Sequence, residues 1–391
     1  MLRLGAPLGA SVALRISQLL VMIAAAQTFP ESDRASVLAG FGVVASFAVF
    51  SDSGASNYLL TRLALSRSIL VRALNVQAVT TAIGAIVAVS FTWIALPWDP
   101  GLLGLGAVSA FALSQAVDSI TRVARSARLQ VHDDASYAAG DALLALTKFV
   151  LVALGLMLSW TGFIFALPVA SLAIAWLVVS GAYRKLRHSS TDEAPDTATV
   201  LHYGLAGASS GLYSQAPYLV SAWLAPVESV AALAVILRTI QPVEIVPAVA
   251  SQQLLPRIQP MRLTAPRLWF AFAGFGTAIG VAVSFSGGFI EILFSQPLAP
   301  ALLLIVLAST LCPKFGNYLL SAFLLAVGGV RAKAALSLIV GSVVVLVCLA
   351  LVPQYGTIAA AWTMLGGEVM LAVGLGVLVR AYRSKEEPRN I

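Results

Sequence analysis

The chain has 391 residues, 59% of them hydrophobic and only 10% charged, with a mean hydropathy of +0.91. Soluble domains carry charge on about 25% of their residues, so a large water-facing surface is excluded. The net charge of +7 and pI near 9.6 suggest nucleic acid only until the cations are placed along the chain.

In chain order, apolar runs of bilayer-spanning length recur, each near the roughly 20 residues that cross a hydrocarbon core. They predict twelve transmembrane helices, at 4–29, 35–60, 73–96, 102–121, 138–160 and 161–182, then at 202–224, 229–252, 268–289, 299–328, 332–352 and 357–381. The runs are continuous and lack a period of two, which excludes a β-barrel. Arg3, the following apolar run and Ala24–Ala26 have the outline of a cleavable signal. Arg15 interrupts that run, however, and the segment has a counterpart later in the chain, so it is read as the first span. Short polar turns at Trp160-Thr161 and Pro353-Gln354 predict antiparallel hairpins.

The longest stretch without an apolar block is 183–199, close to the midpoint. It divides the chain into an N-terminal six-helix bundle (1–183), a cytoplasmic linker (184–199) and a C-terminal six-helix bundle (200–391). A weak internal repeat supports the division. At a shift of 197, Leu8 meets Leu205, Gln18 meets Gln215, Glu31 meets Glu228, Ser32 meets Ser229 and Ala35 meets Ala232. Six spans return the chain to its starting side, so the repeats are parallel.

Of 24 Lys and Arg, 19 fall on one set of connections, including Arg67, Arg72, Arg122, Arg125, Arg128, Arg184 and Lys185. The opposite connections hold Arg34 beside Glu31 and Asp33, with Asp99 and Glu228 elsewhere on that side. The positive-inside rule then places both termini and the linker in the cytoplasm. The same loops suit anionic lipid head groups, which accounts for the high pI without nucleic acid.

The other four cations, Arg15, Lys148, Arg238 and Lys314, fall at membrane depth, as do Asp52, Asp118, Asp141, Glu244 and Glu368. Each charge costs about 2.5–3.5 kcal/mol at mid-helix on insertion scales, so they must pair, snorkel or face water. Helical spacing gathers them: Ser11, Arg15 and Gln18; Asp141 and Lys148; Arg238, Gln241 and Glu244; Lys314, Asn317 and Ser321; and a stripe of Ser210, Ser214 and Ser221. Two readings stay open for most of them. Asp118 and Arg122, four apart, fit an interfacial ion pair. Asp141 and Lys148 either neutralise each other or face a cavity. Asp52 is either a solvated helix end or a cavity residue, and Glu368 serves either helix packing or function. The candidate substrate-binding set is Arg15, Gln18, Asp52, Lys148, Arg238, Gln241, Glu244, Lys314 and Asn317.

Cys312 and Cys348 lie in apolar runs and suggest neither a disulfide framework nor a metal site. His132, His188 and His202 lack metal-ligand spacing, and no P-loop or catalytic triad stands out. No cofactor is expected. Any transport must draw on an ion gradient (Na+ or H+), the membrane potential or the substrate gradient.

Residues 50–62 (FSDSGASNYLLTR) resemble the Asp-x-Gly…Thr-Arg segment that ends the second span of Wzx-type O-antigen and exopolysaccharide flippases. Residues 121–141 (TRVARSARLQVHDDASYAAGD) resemble the loop before their fifth span. With two six-helix bundles and a polar bridge, the chain is similar to the superfamily of multidrug and toxin extruders and polysaccharide flippases. The resemblance implies an all-α multidrug-and-toxin-extruder-like fold in a bacterial cytoplasmic membrane. It implies a non-enzymatic flippase for undecaprenyl-pyrophosphate-linked oligosaccharide, with membrane lipids, a polysaccharide polymerase and glycosyltransferases as partners. Twelve spans, without the two extra helices of lipid II flippases, make a peptidoglycan precursor the poorer substrate. A cation-coupled drug extruder of the same fold and a membrane-bound glycosyltransferase or polymerase are the competing readings.

Overall fold

The structure, a computed structural model, describes residues 2–60, 65–131, 133–186, 197–254, 265–295, 301–326 and 329–386. Among these residues there are helices and no strands. In chain order they are α1 (Leu2–Thr28), α2 (Glu31–Phe50), α3 (Ala55–Leu60), α4 (Arg67–Ser90, continued by a π-turn at Phe91–Ala95), α5 (Gly101–Gln130), α6 (Asp134–Met157), α7 (Phe163–Lys185) and α8 (Thr197–Leu224). Then come α9 (Val227–Leu254), α10 (Ala265–Ser284), α11 (Gly287–Phe294), α12 (Ala301–Ser309), α13 (Leu311–Ala326), α14 (Val330–Tyr355) and α15 (Thr357–Glu386). The protein is an all-α, multi-pass membrane protein.

Among the described residues, ten helices are long and apolar enough to cross a bilayer, or eleven if α10 and α11, bent by 60°, make one span. The predicted twelve is therefore not reached by this measure. The missing span, 202–224, is helical throughout, but Ser, Gln, Tyr and Gly residues dilute its hydropathy.

The chain divides into two compact units, Met1–Ala208 and Ser209–Ile391, with the boundary inside α8. Most of the predicted linker, together with Arg62, Arg187, Arg257, Arg262, Arg389, His132 and His188, lies outside the described residues. In the first unit α1 packs along α6, while α5 is flanked by α2, α4 and α7. In the second, α13 packs on α9, α10 and α15, and α14 pairs with α15.

Several predicted helix limits change for local reasons. The second span stops at Phe50 rather than residue 60. Asp52 Oδ1 accepts from Gly54 N at 3.0 Å and Ser53 Oγ accepts from Ala55 N at 3.3 Å. Such side chains offer the backbone an alternative to the helix, and Gly54 takes φ +71°. Its missing side chain also admits α8, since a Cβ there would collide with the backbone of Tyr203 and Gly204. The fourth span runs on to Gln130, nine residues beyond its predicted end, so the Arg122–Arg128 stretch is helix and not loop. The tenth span breaks at Thr310, just before Pro313. The last hairpin turns at Gly356, φ +62°, while Pro353 stays inside α14. The α6–α7 hairpin is tight, as predicted: Trp160 N reaches Gly155 O at 2.8 Å, and Ser159 adopts φ +48°.

Candidate functional site

In the first unit, polar side chains of α5 reach most of its neighbours. Arg122, Arg125 and Arg128 step by threes along the last turns of α5, and each holds a different neighbour. Arg122 Nη1 donates to Asp52 Oδ2 at 3.0 Å, in a pair whose side chains are 45% and 30% exposed. Arg125, 4% exposed, pairs with Asp141 of α6 and lies over the Tyr137 ring at 5.8 Å. Ser11 of α1 donates to the same carboxylate at 2.8 Å, so Asp141 joins α1, α5 and α6. Arg128 donates to Val178 O of α7 at 3.0 Å and to Ser136 O of α6 at 3.4 Å. Gly181 makes this reach possible, because a Cβ there would overlap the Arg128 guanidinium.

Farther along α5, Asp118 pairs with Lys148 of α6 and accepts from Ser171 Oγ of α7 at 2.9 Å. The predicted pairs Asp118–Arg122 and Asp141–Lys148 are thus replaced by Asp118–Lys148, Asp141–Arg125 and Asp52–Arg122. Burial explains the exchange. Asp118, Arg125, Asp141 and Lys148 are all buried, and an unpaired buried charge is far costlier than a bridged one. Pairing across helices neutralises all four, whereas the same-helix pairs leave Arg125 alone.

One network here has little trace in the sequence. Gln77 of α4 accepts from Ser53 Oγ at 2.5 Å and donates to Ser119 Oγ of α5 at 2.8 Å. Its signal is an amide, two residues from Asn75, in a largely apolar span. A small recess adjoins it, lined by α2, α4 and α5 residues together with Ser51, and including Thr81, Gly84 and Gln115. On α1, Arg15 Nη1 donates to Gln18 Oε1 at 3.2 Å.

The cations of the basic connections also brace this end of the unit. Arg67 Nε donates to Tyr183 O and Leu186 O at 3.0 and 2.9 Å, with its guanidinium 4.8 Å from the Tyr183 ring. It satisfies carbonyls at the end of α7, where helices lack donors of their own. Lys185 pairs with Asp133, which caps α6 by accepting from Ser136 N at 3.3 Å. The hydrogen bond from Lys185 is the chief reason that the Asp133 carboxyl is held below the usual carboxylate range.

The second unit repeats one device. Arg238 Nη1 donates to Gln241 Oε1 at 2.5 Å, one turn on, as Arg15 does to Gln18. Lys314 of α13 donates to Glu244 of α9 at 2.7 Å. One turn along α13, Asn317 Nδ2 donates to Glu368 Oε2 at 2.8 Å and to Glu368 O at 2.9 Å. Glu368 therefore makes an interhelical hydrogen bond, in keeping with the packing reading of that residue. Ser214 and Ser221 turn their hydroxyls onto backbone carbonyls of α8.

The candidate residues accordingly fall into separate groups. Arg15–Gln18, Asp52 with Arg122, and Lys148 with Asp118 lie in the first unit. Arg238–Gln241, Glu244–Lys314 and Asn317–Glu368 lie in the second. Among the described residues no cluster suits a metal ion.

The fold is that of the multidrug and toxin extruder (MATE) and lipid II flippase structures. An inward-facing MATE-family transporter of the MOP superfamily superimposes with TM-score 0.71 at 13% identity, covering 97% of this chain and 96% of that one. The lipid II flippase MurJ in an inward closed conformation gives 0.68 at 13%, covering 95% and 86%. A point mutant of the Vibrio cholerae MATE transporter VcmN gives 0.67 at 15%, covering 99% and 96%. No protein-family model and no curated protein matches the sequence.

Proposed function

We propose that the protein is a flippase that moves an undecaprenyl-pyrophosphate-linked oligosaccharide from the inner to the outer leaflet of a bacterial cytoplasmic membrane. Both termini are cytoplasmic in this reading, and residues 184–199 are a solvated tether between six-helix bundles. The observation that carries it is the pair of braced arginines. Arg15 and Arg238, one in each unit, each bond a glutamine one turn away. An amide that fixes a guanidinium orients its planar donor face for phosphate or carboxylate. The bilayer keeps the lipid tail, and the two bundles alternate access to the head group. Substrate moves the equilibrium only by its differential affinity for the two states. Gln18 and Gln241 act as positioning residues. Asp52 and Lys148 in the first unit, and Glu244, Lys314 and Asn317 in the second, contribute in this proposal through the pairs that they already make. Glycosyltransferases and a polymerase are the partners that supply and consume such a substrate.

A drug extruder is the second reading, favoured by the likeness to MATE transporters. Deleting the gene separates the two. Complete lipid-linked repeat units held on the cytoplasmic leaflet support the flippase, while normal glycan with drug sensitivity supports the extruder. Lipid-linked chains lacking sugars support a glycosyltransferase instead.

A further inference from the structure

The span that carries Lys314 and Asn317 is built to bend. Its 24 residues, Ala301–Leu324, are interrupted at Thr310, whose N–H reaches Leu307 O at 3.1 Å and whose hydroxyl donates to the same carbonyl at 2.6 Å. Three residues on, Pro313 has no N–H to give to the Ser309 carbonyl, and its ring crowds that carbonyl. The broken turn rests on a glycine face of α10. A Cβ at Gly276 would collide with Leu311 O, and one at Gly280 would stand 2.6 Å from Ala308 O. Spacing of four between small residues lets two helix backbones touch, and here the backbone of the broken turn lies directly on α10, with the Phe275 and Phe315 rings packed beside it at 6.0 Å.

Beyond the break, α13 faces two carboxylates on different helices with one ammonium. Lys314 is on Glu244 of α9, and Glu368 of α15 also lies within electrostatic reach of the ammonium. Tyr213 and Tyr318 are the other titratable groups whose fields are felt in this cluster. Asn317 occupies Glu368 with its amide N–H, while its Oδ1 is buried without a hydrogen-bond partner. A buried acceptor left unused is costly, and an ammonium hydrogen is a donor that fits it. Lys314 lies just past the break, so a modest change of bend shifts its ammonium relative to α9 and α15, while Asn317, one turn on along the same helix, moves with it and stays within its reach.

We propose that α13 is a two-position switch: bending at Thr310–Pro313 carries the Lys314 ammonium from Glu244 on α9 to Glu368 on α15, with Asn317 Oδ1 receiving it in the second position. Either position gives the lysine one carboxylate, so neither dominates by charge alone. The switch is internal to the second unit and does not depend on the identity of the cargo.

The test is a distance measurement between spin labels at Leu302→Cys and Ser321→Cys in the full-length protein in lipid nanodiscs, with Cys312→Ser and Cys348→Ser. A straight helix between the two positions would place them roughly 28 Å apart. Two distances are expected in the parent. Glu244→Gln and Glu368→Gln should change their ratio in opposite directions by about tenfold. Pro313→Ala, which restores a donor to Ser309, should collapse them to the longer one. One distance, unchanged in every variant, overturns the switch. So does one distance with only a loss of thermal stability in Glu244→Gln, which marks a fixed structural pair. No substrate is present, so failure here leaves the flippase reading standing, and the reverse holds too.

Discussion

Arg125 of α5 and Asp141 of α6 form a buried ion pair, and Ser11 of α1 donates to the other carboxylate oxygen at 2.8 Å. Three helices of the first unit thus meet on one carboxylate. Removing one partner of a buried pair typically costs about 3–5 kcal/mol, because the other charge is left unpaired in a low-dielectric interior. Arg125→Ala or Asp141→Ala alone should therefore lower thermal stability sharply in detergent. The double variant Arg125→Met/Asp141→Leu should recover most of the loss. Additive losses in the double variant would mean that the two side chains do not act as a pair.

Asp52 and Arg122 give the contrasting case. Their side chains are 30% and 45% exposed, and exposed pairs contribute only about 0–1 kcal/mol. Arg122→Ala should leave melting within a few degrees of the parent. Asp52→Ala should cost more than its partner, because Asp52 also ends α2 by accepting from Gly54 N. Equal effects of the two substitutions would contradict the turn-forming role of Asp52.

The contact between Lys185 and Asp133 predicts a pH dependence. The folded carboxyl titrates below its ordinary value, chiefly through that hydrogen bond. A depressed carboxylate contributes stability that is fully present above the unfolded pKa, about 3.9, and is lost as pH falls through the folded value. The stability difference between the parent and Asp133→Asn should be constant from neutral pH down to about 5 and shrink below about 4. A difference that grew on acidification would contradict the assignment. So would one that disappeared between about pH 6 and 8.

How far the sequence reaches is visible in these same residues. Spans, hairpins and polar faces follow from apolar run length and from spacing on one helix, which is why spacing alone groups Arg15 with Gln18 and Arg238 with Gln241. Partner choice does not follow from spacing. Asp118 lies four residues from Arg122, yet it pairs with Lys148 on another helix, because the interior must neutralise every charge it encloses. Hydropathy counts Arg125 with the loop cations, since nothing in the apolar profile shows that α5 continues to Gln130. The spacing of Arg122, Arg125 and Arg128 by threes is the available signal. Breaks inside apolar runs are also hidden. Ser-Asp-Ser-Gly at 51–54 reads as a turn only once its side chains are seen bonding its own backbone. Thr310 interrupts a run that hydropathy presents as continuous.

Charge reversal asks most directly whether Arg15 and Arg238 face an anionic lipid-linked head group. Arg15→Glu and Arg238→Glu should insert normally and yet leave a flippase-deficient strain with complete lipid-linked oligosaccharide trapped on the cytoplasmic leaflet. Arg15→Lys should restore part of the transfer, since it keeps the charge and loses the fork geometry. Full transfer to the outer leaflet by Arg15→Glu would be incompatible with a head-group site at these arginines.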